Sequence, residues 1–148
     1  MQTIKLIEVS KSFKSKKALE KINIVFENNK INGLLGPNGS GKTTLFNIIA
    51  GFLSPDLGQI LLDNQNLNSK SLSLRTRLGI SYLPQEASIF RDLSVYDNIY
   101  SIAELFHNKD NSKKITNNLI KQFSLSNFQK TKGKLLSGGE RRRTEIAR

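Results

Sequence analysis

Residues 36 to 44 read GPNGSGKTT, and this nonapeptide limits what the chain can fold into more than any other stretch. Its spacing, G-x-x-x-x-G-K-[ST], is that of a phosphate-binding P-loop, with Gly36, Gly41, Lys42 and Thr43 at the fixed positions. Glycines let the backbone turn tightly and aim successive N–H groups into one concavity that holds an anion. Lys42 adds a mobile positive charge for the β- and γ-phosphates, and the Thr43 hydroxyl is a ligand for Mg²⁺. The flanks agree with this. Residues 31–35 form a short apolar run suited to a buried strand. Leu45 to Ala50 continue as a helix that Gly51 can end. Strand, glycine-rich loop and helix set a helix N-terminus against phosphate.

The rest of the chain supplies further elements. Residues 3–9 alternate as a strand, and Leu19, Ile22, Ile24 and Phe26 mark a second over 19–26. Residues 58–62 are a third, followed by the polar turn 63–66, and 79–83 read as a fourth, stopped by Pro84. From Ser94 the period becomes helical. Val95, Ile99, Ile102 and Leu105 share one face, and Ser94 with Asp97 forms a capping box. A second amphipathic helix carries Ile115, Leu119, Ile120 and Phe123. The middle of the chain is thus a helical insert in an α/β protein.

Bulk properties narrow the class. With 148 residues, 37% hydrophobic and 24% charged, the chain suits a folded globular domain. It contains no cysteine, so disulfides and thiolate metal sites are out, and a reducing compartment is the default. No segment reaches the roughly 20 apolar residues of a membrane span, and MQTIKLIEVSKSF lacks a signal-peptide core. The net charge of +11 comes from lysines scattered along the sequence, which reads as a solvated surface, and no nucleic-acid partner is expected.

Leu136 to Glu140 read LSGGE. Ser137 and Glu140 make an S-x-x-E capping box for a last helix. Gly138 and Gly139 are poor first-turn residues unless something must approach the backbone closely, and exposed amides there would be a second anion site.

In order and spacing, GPNGSGKTT, a strand ending at Gln85, a helical insert and LSGGE resemble the nucleotide-binding domain of ABC-type ATPases. The resemblance covers essentially the whole chain. SYLPQEASIFRDLSVYDNI and LSGGERRRTEIAR look most like the ATP-binding subunits of lipopolysaccharide export transporters, with branched-chain amino acid importers as the nearest alternative. The resemblance implies a P-loop ABC fold with an antiparallel β subdomain and an inserted helical subdomain. The expected division is 1–84 for the core, 85–137 for the glutamine loop and helices, and 138–148 for the start of the signature helix.

It also implies site residues. Gly36, Pro37, Asn38, Gly39, Ser40, Gly41, Lys42, Thr43 and Thr44 hold the phosphates of ATP. Lys42 and Gln85 serve catalysis, Thr43 and Gln85 hold Mg²⁺, and Phe13 stacks on adenine where the family often has Tyr. Ser137, Gly138 and Gly139 contact the γ-phosphate held by a second copy, in a head-to-tail homodimer. Transmembrane permease subunits are the expected partners, placing the protein on the cytoplasmic face of the inner membrane and in contact with it only through them. Segment 86–91 would receive their coupling helix through Ile89, Phe90 and Arg91. The family's later motifs (an Asp for Mg²⁺, a Glu general base, a D-loop and a switch histidine) are expected beyond Arg148. The chain therefore reads as a C-terminally truncated copy, with little turnover expected from residues 1–148 alone. His107 lies in the wrong place for that histidine and reads as a solvent-facing helix end.

Overall fold

A computed structural model describes residues 3–148, which fall into two compact units divided between Tyr82 and Leu83. The first is built on β1 (Ile4–Phe13), β2 (Lys16–Phe26), β3 (Leu57–Leu62) and β4 (Gln65–Asn66). They form one antiparallel sheet in the order β2-β1-β3-β4. A two-residue turn with Lys14 at φ 53° joins β1 to β2. Glu8, at φ 51°, makes a bulge that breaks the period of two, so that Leu6 and Val9, three residues apart, are both buried. Opposite that bulge a Cβ on Gly58 would stand 2.4 Å from the Glu8 carbonyl oxygen, so only glycine fits.

Helix α1 (Lys42–Ala50) packs Leu45, Ile48 and Ile49 with Leu6, Val9, Leu19 and Ile60 in the core of this unit. Each such aliphatic side chain, removed from water, stabilises the fold by about 1.5–3 kcal/mol. Helix α2 (Leu72–Arg77) follows, capped by the Ser71 hydroxyl, which accepts the Leu74 N–H.

Two expected strands do not form. Residues 31–35 and 79–83 carry no strand assignment, and Ile31 and Leu35 are almost fully exposed. A central strand exists only through ladders to its neighbours, and among the described residues no strand pairs with either segment.

The second unit is helical: α3 (Val95–Ala103), α4 (Lys109–Gln122), two single 3₁₀ turns (Ser126–Phe128 and Gly133–Leu135), and α5 (Gly138–Ala147). Its core gathers Ile89, Val95, Ile99, Ile120, Leu125, Leu136 and Ala147. Helix α3 ends before the expected apolar stripe does, so Leu105 lies beyond it and is exposed. At its start Ser94 accepts the Asp97 N–H at 3.0 Å, but its own hydroxyl donates back to Asp97 Oδ2 at 2.6 Å. The shorter aspartate takes the hydroxyl where a glutamate would reach the backbone amide, so the box is half formed. Asn108 caps α4, and the adjoining His107 is exposed.

Candidate functional site

The phosphate-loop sequence folds as one open turn leading into α1. Gly39 and Gly41 take left-handed φ values of 79° and 91°. Gly41 has a second reason to be glycine, because a Cβ there would stand 2.4 Å from the Ala18 carbonyl oxygen in β2. Residues 36–40 and Thr43 are exposed, and Lys42 and Thr44 half-buried. The Lys42 ammonium folds back on the loop, donating to the carbonyls of Gly36 and Pro37 at 2.7 Å each.

The amide end of α1 is bare. Helices α2, α3, α4 and α5 each begin with a Ser or Asn whose side chain accepts a first-turn N–H. Helix α1 has Gly41 as its cap, no side-chain acceptor and no acidic residue in its first turn. Orphan N–H groups and the positive end of the helix dipole therefore face outward beside a lysine, which suits an anion with several oxygens. The residues present fit a nucleotide phosphate chain. A cavity of about 350 Å³ elsewhere in this unit, lined by Ile4, Phe26, Phe46, Ile49, Leu62 and Ile80 among others, includes none of the loop residues. Its lining is largely apolar, so phosphate chemistry belongs to the glycine-rich loop rather than to this cleft.

Phe13 closes β1 and is 46% exposed, which removes core packing as its role. The Lys11 ammonium lies 5.8 Å from its ring centroid, leaving an aromatic surface available to a flat ligand.

One residue tied to this region has no sequence signature. Arg75 of α2 is 1% exposed, although Arg77, two positions on, is on the surface. Its guanidinium donates to Ile48 O (2.6 Å), Ile49 O (2.8 Å), Leu67 O (2.6 Å) and Lys70 O (3.0 Å). Burial pushes its pKa down, yet an arginine remains charged. In the sequence SLSLRTR nothing separates a buried arginine from a solvated one.

In the second unit, Gln85 is exposed within an irregular segment rather than at the end of a strand. The residues that follow are held by side chains that the periodicity does not single out. Buried Glu145 accepts the Ser88 N–H at 2.7 Å, Arg142 donates to Pro84 O at 2.9 Å, and Arg148 to Ser88 O at 2.7 Å. Fully buried Asn98 accepts the Phe90 N–H at 2.9 Å and returns a bond to its carbonyl at 3.0 Å. The segment sorts its apolar residues: Ile89 is in the core, and Phe90 is 47% exposed with the Arg148 guanidinium 4.4 Å from its ring centroid. Only one of the two expected apolar anchors therefore faces outward, because the alternation of an extended segment sends neighbours to opposite sides.

The capping box on α5 is complete. Ser137 accepts the Glu140 N–H at 3.4 Å, and Glu140 accepts the Ser137 N–H at 2.8 Å. Gly138 and Gly139 are exposed, and a Cβ at either would meet nothing within 4 Å. Neither has a positive φ. Packing and backbone geometry within this chain leave both glycines unexplained.

A family described as ABC transporter matches residues 19–148. The lipopolysaccharide export system ATP-binding protein LptB of Escherichia coli (strain K12) is 40% identical over 150 residues, covering 100% of this chain and 62% of that protein. LptB of Haemophilus influenzae is 42% identical over 144 residues, covering 95% and 59%. The chain thus spans about three fifths of the length of these curated relatives. Among solved structures, cbiO1 from Clostridium perfringens, part of the ABC transporter complex cbiONQ, superposes with a TM-score of 0.85 at 28% identity, covering 97% of this chain and 59% of that one. The cassette MJ0796, dimeric and bound to ADP and Pi, gives 0.84 at 26%, covering 97% and 67%. A bare-amide P-loop helix, the LSGGE box on α5 and a family match over residues 19–148 have one common explanation: the chain belongs to the ABC transporter family, in its ATP-binding cassette.

Proposed function

We propose that the chain is the nucleotide-binding part of an ATPase subunit that powers lipopolysaccharide export. The observation that carries this reading is the uncapped amide end of α1 with Lys42 beside it, in a chain alike along its length to proteins named for that export system. Bound MgATP would supply a hydrolysable γ-phosphate, and the rest of the reading concerns what this chain's residues do.

Gly36 to Thr44 wrap the phosphates with backbone amides. Lys42 exchanges its two loop carbonyls for phosphate oxygens, so the loop is already shaped around the ammonium before nucleotide arrives. The Thr43 hydroxyl would serve as a Mg²⁺ ligand in the first unit, and Gln85, in the second, would supply an amide oxygen for the metal and orient water. Phe13 offers its exposed face to adenine. Ser137, Gly138 and Gly139 present the start of α5 to the γ-phosphate on a second copy, so that two chains close head to tail. The general-base carboxylate of the cycle lies in this reading outside residues 1–148. No helix among the described residues is long and apolar enough to cross a membrane, and transmembrane permease subunits would carry the cargo at the cytoplasmic face.

The test is Lys42→Ala in the full-length protein. It removes the mobile cation of the loop and should weaken MgATP binding by about 2–3 kcal/mol, the scale of a charge-assisted contact. Isothermal titration beside a melting curve separates this from unfolding. Equal affinity in wild type and variant would sink the assignment.

A further inference from the structure

Helix α1 has no complement for its dipole within its own sequence. Its first turn lacks an acid and its last turn lacks a base. At the carbonyl end the missing positive charge comes from another element, because the Arg75 guanidinium takes the Ile48 and Ile49 carbonyls together. The same group holds Leu67 and Lys70, and among the described residues it meets no carboxylate. Four carbonyl oxygens around a buried cation fix its place closely, and the α1 carbonyls are fixed with it. Gly51, which ends α1 at φ 96°, leaves the room this requires. A Cβ there would stand 3.0 Å from Arg75 Nε and 3.1 Å from its Cδ.

We propose that Arg75 is a positioning residue for nucleotide binding. By anchoring the carbonyl end of α1 it sets where along the helix axis the bare amides of Gly41, Lys42, Thr43 and Thr44 meet phosphate. The nine-residue helix is a rigid rod of roughly 13 Å, so a displacement at Ile48 and Ile49 is passed to the loop. The charge acts in the same direction, since a buried cation one helix length away attracts an anion held at the amide end, more weakly than a contact does. This inference rests on the nucleotide reading given above.

The test compares wild type, Arg75→Met and Arg75→Lys in the full-length protein, with MgATP as the titrant. Binding is measured at a temperature where circular dichroism shows each variant folded. Arg75→Met should bind MgATP about five- to tenfold more weakly, and Arg75→Lys, which keeps the charge but loses the forked contact, about threefold more weakly. A purely structural arginine would lower the melting temperature and leave the affinity of the folded protein unchanged, and that result overturns the proposal. Should Arg75→Met not fold, the lysine variant alone decides: wild-type affinity refutes the role, and a loss of about threefold supports it. A wild type that binds no MgATP would instead bring down the nucleotide reading, and this inference with it.

Discussion

Glu140 shows at the scale of one residue how a local motif becomes a pH dependence. The Ser137 backbone N–H, and after it the Ser137 hydroxyl, hold its carboxyl below the usual value of 4.5. Asp56 is lowered by hydrogen bonds from Lys11 and from the Ser12 amide, and Asp92 by its bond with Lys134. Each of these folded-state values lies below its unfolded one. Their stabilisation is therefore complete above about pH 5 and is lost as pH falls through the lowered values. Thermal melts should be flat from neutral pH down to about pH 5 and then decline, and Glu140→Gln should flatten part of that decline. Superimposable profiles for the two proteins would contradict it. At this scale the sequence is legible where chemistry is written in spacing, as with Lys42 and Ser137. It is silent on Arg75, Asn98 and Glu145, whose burial depends on carbonyls and amides brought close by the fold rather than by neighbours in the chain.

Among elements, the helix caps come through best because their signals are local: the caps at Ser94 and Ser137 lie where the motif places them. The expected turn 63–66 is shorter than read, since Gln65 and Asn66 pair back onto β3 as β4, and the six-residue α2 is too short to show a period in the sequence. Residues 31–35 and 79–83 show the opposite case. Their composition is that of buried strands, but a strand is a relation between segments, and its partners cannot be read from one run of residues. Helix α4 carries a mismatch of another kind. Thr116 is fully buried on its packed face, and its hydroxyl is the one buried side-chain polar atom among the described residues without a hydrogen-bond partner. Removing an unsatisfied polar group while keeping the β-branched shape lifts a desolvation cost. Thr116→Val should therefore raise stability by up to about 1 kcal/mol, read as a higher denaturant midpoint at unchanged slope. A fall of similar size would mean that the hydroxyl is satisfied in solution.

For the molecule as a whole, the two units hold different parts of the proposed chemistry: the phosphate loop in the first, the glutamine segment and LSGGE box in the second. Coupling to a membrane partner belongs at this scale. Phe90 is half exposed with Arg148 against its ring, and Arg91 is exposed. Under the proposed function this aromatic with a cationic rim would be the docking point for the permease subunits, since such residues dominate interface energy. Phe90→Ala or Arg91→Ala in the full-length protein should reduce co-purification with the permease subunits and spare MgATP affinity. Loss of both together would place the segment in the nucleotide site, and normal assembly would remove the docking role. The opening of α5 has a consequence of a different order. Alanine at position 138 or 139 would clash with nothing in this chain and would recover part of the about 1 kcal/mol that glycine forgoes in a helix. Selection for foldability alone would drift toward alanine at both sites. A library screened for thermal stability alone would therefore favour alanine at both positions and would not register any contact that the two bare glycines leave open.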